Sequence, residues 1–284
     1  MLDAYIYDGT RTPIGRYGGK LAPGRPHDML GSVLLVVLHS NPFKAEDIED
    51  MVIGCANQGG EDSRCVARHA GLLAGLPIEL GGSVVQRNCA SGLNAIVNAA
   101  HAITAGEGDL FLVGGVESMS RAPFVMAKSD SPFSRDLRIF DSTIGSRFPN
   151  PRIVKEFGDD TMPQTADNLA KDFSISREQA DKFAYASQQK YATAKGEGFF
   201  AGEITPVKLD KGRKAEPELV SEDEHPRPQT DMAALAKLKA LFDGGVTTAG
   251  NASGVNDGAA ALFVGNLKAG ERAGKKPIAR ILAT

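Results

Sequence analysis

Short apolar runs separated by stretches of helical pattern constrain this chain more than any other feature. Ala4 to Tyr7, Met51 to Gly54, Val84-Val85, Leu110 to Val116, Ala259 to Val264 and Ile278 to Leu282 read as buried strands. Between the first four lie helical patterns at about Met29 to His39, Cys65 to Ala74 and Ser91 to Ala105. Strands apolar on both faces that alternate with helices belong to a mostly parallel sheet covered by helices. The fold class is therefore α/β.

The alternation stops at Ser118, and a more polar composition runs to about Gly245. Within it Ala166, Leu169, Ala170 and Phe173 share one helical stripe, and Ser176 with Gln179 forms a capping-box pattern ahead of a second helix. Lys208 to Arg227 is charged and proline-punctuated, which predicts an exposed excursion. Asn251 to Gly258 is a turn cluster, after which the buried-strand composition returns. The expected organisation is one α/β domain interrupted by an insert. The sequence stops at Ala283-Thr284 directly behind a strand-like run, and a domain rarely finishes on a bare strand. The chain thus reads as a fragment cut at a domain boundary.

Composition narrows the function class. Across 284 residues, 32 basic and 35 acidic side chains give a formal charge of −3, so no global field favours nucleic acid or an anionic membrane. Val33 to Leu38 is far short of the roughly 20 apolar residues that span a bilayer. The N-terminus shows no basic region followed by an apolar one, so a cytoplasmic location is expected. Three cysteines, Cys55, Cys65 and Cys89, suit neither a disulfide framework nor a zinc site, and no metal is expected.

Cys89 is the most informative of the three. Strand-like Ser83 to Gln86 leads through Asn88-Cys89-Ala90-Ser91-Gly92 into a helix, which places the thiol at a helix N-terminus. Unpaired N–H groups and the helix dipole favour a thiolate there, and small neighbours admit a thioester carbonyl. On local context alone, a reactive thiol and a small inert side chain are equally good readings. Cys55 and Cys65 lack this setting and read as inert.

Four segments together carry a resemblance. Val85-Gln86-Arg87-Asn88-Cys89-Ala90-Ser91-Gly92-Leu93-Asn94-Ala95-Ile96 resembles the nucleophile segment of thiolases, the acetyl-CoA acyltransferases. Arg11-Thr12-Pro13-Ile14-Gly15, Gly114-Gly115-Val116-Glu117-Ser118-Met119-Ser120 and Gly250-Asn251-Ala252-Ser253-Gly254-Val255-Asn256-Asp257-Gly258 agree in order and spacing. The resemblance implies a thiolase-like N-terminal half with a mostly parallel five-stranded sheet and a long, mostly helical loop-domain insertion. Its implied boundaries are 1–117 and 246–270 for the α/β domain, 118–245 for the loop domain that covers coenzyme A, and 271–284 for the start of a C-terminal domain.

By the same resemblance, Cys89 is the acyl-accepting nucleophile. Met162 packs beside CoA, Arg227 meets its adenine nucleotide, and Ala249 and Ser253 line the pantetheine. CoA is a co-substrate, no cofactor is permanently bound, and the protein is a homodimer or homotetramer with no nucleic-acid or membrane partner. This chain departs from the family at Gln86, where Asn, Ser or Thr is usual. Thr161 stands where biosynthetic members have histidine, and Ala234 replaces a CoA-binding serine. The family's Gly-His-Pro histidine and second cysteine have no counterpart in the chain, which predicts that the chain alone lacks normal turnover.

The implied reaction is thiolytic cleavage of a 3-oxoacyl-CoA. Gly54-Cys55-Ala56-Asn57-Gln58, Gly60-Glu61-Asp62 and Arg121-Ala122-Pro123-Phe124-Val125-Met126 resemble the 3-oxoadipyl-CoA thiolases of aromatic-compound catabolism. A substrate ending in a carboxylate calls for a cation, with Arg121, Arg147 and Arg152 as candidates. Alternatives are an acetoacetyl-CoA or general 3-ketoacyl-CoA thiolase, a carrier-protein condensing enzyme, and a non-catalytic CoA-binding or assembly fragment.

Overall fold

In a computed structural model the structure describes residues 2–210 and 216–284. In chain order its elements are β1 (Tyr5–Arg11), β2 (Gly15–Arg16), α1 (Pro26–His39), β3 (Asp50–Gly54), α2 (Val66–Leu73), β4 (Ser83–Val85), α3 (Ser91–Ala105) and β5 (Leu110–Ser118). There follow β6 (Phe124–Met126), β7 (Ile139–Asp141), α4 (Pro151–Phe157), α5 (Met162–Asp172), α6 (Arg177–Gly196), β8 (Val207–Leu209), β9 (Glu218–Val220), α7 (Met232–Ala236), β10 (Asn256–Gly265), α8 (Leu267–Ala273) and β11 (Ala279–Arg280). The chain divides into two compact units, one of residues 1–122, 202–224 and 256–284, the other of 123–201 and 225–255.

The first unit is built on a mixed sheet in the order β11-β1-β10-β5-β3-β4, with β2 paired to β10. β3 pairs in parallel with both β4 and β5, whereas β10 is antiparallel to β5 and to β1. Of the five central strands β1, β3, β4 and β5 thus run one way, and β10 is the exception. Strand periodicity divides the apolar runs between two cores. Leu110 and Leu112 of β5 enter the core that holds Met29, Leu30, Val33 and Leu34 of α1 and Ala67 and Ala70 of α2. Phe111 and Val113 enter the opposite core, with Ala95, Ala99 and Ile103 of α3. Both faces of the sheet are therefore covered, which explains why its strands are apolar throughout. α3 ends at Gly106, whose φ of 82° is the left-handed conformation that terminates helices.

The expected exposed excursion at Lys208 to Arg227 is corrected. β8 and β9 form a hairpin whose Leu209 and Val220 are buried in the core with α1. The charges beyond it are pinned: Arg11 makes a two-pronged contact with Asp223 at 2.7 and 3.1 Å and bonds Glu203 at 2.7 Å. Alternating Val207 and Leu209 inside a charged stretch carried the strand signal that the prolines obscured. Residues 211–215 of that expectation lie outside the described residues. The single insert expected at 118–245 likewise differs from the observed division, because 202–224 return to the first unit. Residues 271–284 also lie in the first unit, where β11 pairs with the edge of β1.

The second unit is mostly helical, with a small β6–β7 hairpin. Its α5 and α6 each begin with a capping box, from Thr161 and Gln164 and from Ser176 and Gln179. No helix among the described residues is long and apolar enough to cross a membrane.

Candidate active site

Cys89 is exposed in the turn that joins β4 to α3. Asn88 before it takes φ of 49°, the left-handed region that asparagine tolerates better than most residues. Ser91 ties the turn together: its hydroxyl donates to the Asn88 carbonyl and accepts the Arg87 N–H at 2.8 Å. The first bond of the helix runs from the Asn94 N–H to the Ala90 carbonyl. The N–H groups of Gly92 and Leu93 precede it, at the positive end of α3. A thiol at a helix N-terminus can attack a carbonyl in a setting that favours the resulting oxyanion.

Glycines allow this helix start to rest against the sheet. A Cβ on Gly54 would lie 2.3 Å from the Gly92 nitrogen, and one on Gly115 would touch the Gly92 Cα at 3.4 Å. The ends of β3 and β5 thereby form the floor under the turn. Glu117, at the end of β5, accepts the N–H groups of Ala56 and Asn57 at 2.8 and 3.2 Å. The Gln86 amide donates to Asn88 Oδ1 at 3.1 Å and reaches toward the Ala56 carbonyl at 3.5 Å. Its extra methylene supplies the reach for that bridge. The motif Gly114 to Ser120 marked Glu117, yet sequence reasoning assigned it no role.

Of the other two cysteines, Cys55 has the inert setting expected for it. Cys55 is buried, and burial followed by the Glu117 and Asp62 carboxylates pushes its thiol far above the usual range. It therefore stays protonated and does not compete as a nucleophile. Donor atoms of Cys55, Asp62 and Glu117 lie within 4.8 Å of one another, but a protonated thiol is a poor ligand. Cys65 directs its thiol at the Gly82 carbonyl at 3.3 Å.

Of the five histidines, none hydrogen-bonds Cys89 among the described residues. His101 is exposed rather than buried in its helix, and bonds the Thr284 hydroxyl at 2.8 Å. Its place on α3 puts it on the outer side of that helix, away from the stripe of Ala95, Ala99 and Ile103.

The second unit gathers the other four candidate residues. A cavity of about 530 Å³ is lined by Met162, Leu169, Ile175, Phe183, Ala252 and Ser253 among others. A second of about 350 Å³ is lined by Gln188, His225, Arg227, Ala249, Ala252 and Ser253 among others. Met162 is 63% exposed at the first position of α5, an uncommon setting for a methionine that merely fills a core. Arg227 Nη1 donates to the His225 and Pro226 carbonyls at 3.3 and 3.2 Å, and its backbone N–H to Gln188 at 2.7 Å. The His225 ring fills the space a side chain on Gly254 would need, since a Cβ there would lie 2.2 Å from the ring.

Two carboxylates hold the loop that carries Ala249 and Ser253. Asp167 Oδ1 accepts the N–H groups of Val246 and Thr247, both at 2.9 Å, and the Thr247 hydroxyl at 2.7 Å. Asp181, 2% exposed, accepts from Arg177 at 2.8 Å and from the Asn251 amide at 2.9 Å. The same amide donates to the Val246 carbonyl at 3.0 Å. Sequence reasoning missed both aspartates because each falls on a helix whose apolar stripe carried the pattern. Asn251, inside the matched turn cluster, was the available signal.

Of the candidate cations for a substrate carboxylate, Arg121 is engaged within the first unit. It grips Glu61 with two bonds of 2.5 and 2.8 Å, and Arg25 approaches the same carboxylate at 3.4 Å. Arg147 reaches the Ser142 carbonyl at 3.4 Å. Arg152 lies in the first turn of α4, capped by Asn150.

The comparisons with known proteins bear on this arrangement. The family described as "Thiolase, N-terminal domain" matches residues 4–267. The chain belongs to the thiolase family. This thiolase is 53% identical over 285 residues to the "3-oxoadipyl-CoA/3-oxo-5,6-dehydrosuberyl-CoA thiolase" of Escherichia coli (strain K12), covering 100% of this chain and 71% of that protein. Among solved structures it is similar to the Bacillus anthracis acetyl-CoA acetyltransferase, with a TM-score of 0.86 and 31% identity over 98% of this chain and 68% of that one. It is also similar to human mitochondrial 3-ketoacyl-CoA thiolase in complex with CoA, with a TM-score of 0.85 and 32% identity over 97% of this chain and 68% of that one. The thiolase thus has its fold in common with both structures, and far more of its sequence in common with the Escherichia coli relative.

Proposed function

We propose that this thiolase cleaves 3-oxoadipyl-CoA with CoA through an acyl-enzyme on Cys89, giving acetyl-CoA and succinyl-CoA. The observation that carries the reading is the exposed Cys89 thiol in the strand-to-helix turn at the N-terminus of α3. The thiolate attacks the C3 carbonyl, and N–H groups at the positive end of that helix stabilise the oxyanion. Collapse breaks the C2–C3 bond, and its electron pair leaves on C2 as the carbanion of acetyl-CoA, which takes up a proton. The thiolate of a second CoA then attacks the acyl-enzyme, the bond to Sγ breaks, and Cys89 is regenerated.

CoA binds the second unit, with its adenine nucleotide at Arg227 and its pantetheine along Ala249, Ser253 and Met162. A guanidinium suits the nucleotide end because it both bonds phosphate and stacks on a ring. The 53% identity to a relative named for 3-oxoadipyl-CoA, against 31% and 32% to the two solved structures, supports that substrate over acetoacetyl-CoA. A cytoplasmic homodimer or homotetramer is the working form, which light scattering of the purified protein tests.

The test is intact mass and peptide mapping after incubation with 3-oxoadipyl-CoA and, separately, acetoacetyl-CoA, with Cys89→Ala as control. The expected result is acyl mass on the Cys89 peptide alone, faster with 3-oxoadipyl-CoA. CoA binding with no adduct would instead make the chain a CoA-binding fragment, and no binding would refute the reading.

A further inference from the structure

Away from Cys89 and the CoA cavities, two histidines from different helices meet on the first unit. His27 is the second residue of α1, and His69 lies midway along α2. His27 Nε2 and His69 Nδ1 face each other at 3.3 Å, with ring centroids 5.2 Å apart and planes inclined at 51°. Neither ring is used by the proposed chemistry. Two imidazole nitrogens bound to one tetrahedral zinc, each roughly 2.0–2.1 Å from the metal, lie about 3.3–3.4 Å apart. The observed separation equals that span, so rotation of the rings suffices to turn both nitrogens toward a shared ion.

We propose that His27 and His69 form a two-imidazole site for a divalent transition-metal ion such as Zn²⁺ or Ni²⁺, which staples α1 to α2. His27 Nε2 and His69 Nδ1 are the ligating atoms, so the protons sit on His27 Nδ1 and His69 Nε2, and solvent fills the remaining positions. His69 is exposed and His27 half-buried, which leaves an approach open from the solvent side. Asp28 and Glu61 add negative potential at His27, and the Arg25 charge is partly offset by Glu61 at 3.4 Å.

The test is Ni²⁺ titration of the chain by calorimetry, with Zn²⁺ measured by competition against a chromophoric chelator. A Cys89→Ser background removes the exposed thiol as a rival ligand. One equivalent of Ni²⁺ is expected, with affinity reduced at least tenfold in His27→Gln and in His69→Gln and unchanged in His101→Gln. Cu²⁺ is expected to bind more tightly than Ni²⁺, with imidazole nitrogen coupling in its electron paramagnetic resonance spectrum that either substitution diminishes. Unchanged Ni²⁺ affinity in His69→Gln, or no binding by the parent, would mean the rings are a hydrogen-bonded pair only. His69→Gln decides alone if His27→Gln fails to fold, because residue 69 is exposed. None of these readouts depends on acyl transfer, so the outcome is independent of the thiolase mechanism.

Discussion

The Ser91 hydroxyl donates to the Asn88 carbonyl at 2.6 Å, spanning the turn at whose apex Cys89 stands. That bond compensates part of the strain of a left-handed Asn88, and the Arg87 N–H closes the same hydroxyl from the other side at 2.8 Å. Ser91→Ala is expected to cost about 1–2 kcal/mol in denaturant unfolding, because the Arg87 N–H and the Asn88 carbonyl lose the hydroxyl they share. Alkylation of Cys89 by iodoacetamide is expected to change with it. An unaltered alkylation rate in a destabilised variant would show that Ser91 supports the fold and not the thiol.

Gly54 admits no side chain. A methyl there would stand 2.3 Å from the Gly92 nitrogen and the Ser91 carbonyl carbon, both backbone atoms of the helix start. Gly54→Ala is expected to destabilise the protein by about 3 kcal/mol through forced displacement, whereas Gly92→Ala meets open space. Thermal unfolding of the pair checks this, and equal transitions would contradict it.

Acid should release the loop that carries Ala249 and Ser253. Burial pushes the Asp167 carboxyl upward, but the Thr247 hydroxyl and the Thr247 and Val246 N–H groups outweigh it and hold the carboxyl below its ordinary value. A depressed folded value means that the stabilisation is complete above about pH 4, the unfolded range. It is lost as pH falls through the lower folded value. Hydrogen exchange at Val246 and Thr247 is expected to accelerate below that window, relative to amides of α6. In Asp167→Asn, which retains an acceptor but does not titrate, this extra acceleration should disappear.

Substrate selection can be assigned among three arginines. Arg121 is already paired with Glu61, so Arg121→Gln is expected to lower stability with little effect on the choice of acyl chain. If an arginine recognises the distal carboxylate of 3-oxoadipyl-CoA, Arg147→Gln or Arg152→Gln should raise the concentration of that substrate needed for half-maximal acylation of Cys89 about tenfold or more and leave acylation by acetoacetyl-CoA unchanged. Selectivity that survives both substitutions would point to recognition outside these side chains.

The sheet was legible in the sequence because its strands are apolar on both faces: Leu110, Phe111, Leu112 and Val113 have core on either side. The reversal of β10 was not, since a run such as Ala259 to Val264 has the same composition whichever way it points. Cys89 could be located from its small neighbours and from the helix that follows. Met162, Arg227, Ala249 and Ser253 were located by resemblance, and no local pattern distinguishes them from ordinary surface residues. What could not be read was the support beneath them. Glu117, Asp167 and Asp181 act through backbone N–H groups or amides 60 to 80 positions away in sequence, beyond the reach of any periodicity.

β10 lies between β1 and β5, matching Gly265 to Tyr5 and Ala260 to Gly115. On the ribosome, β5 therefore emerges long before the strand that completes its far edge. At roughly 5–20 residues per second, the intervening stretch occupies on the order of ten seconds. Throughout that interval the nascent sheet presents an unsatisfied apolar edge, a template for pairing with a neighbouring chain. The burden of making this protein thus falls on its synthesis, and crowded translation at low temperature or with holdase chaperones should govern its soluble yield.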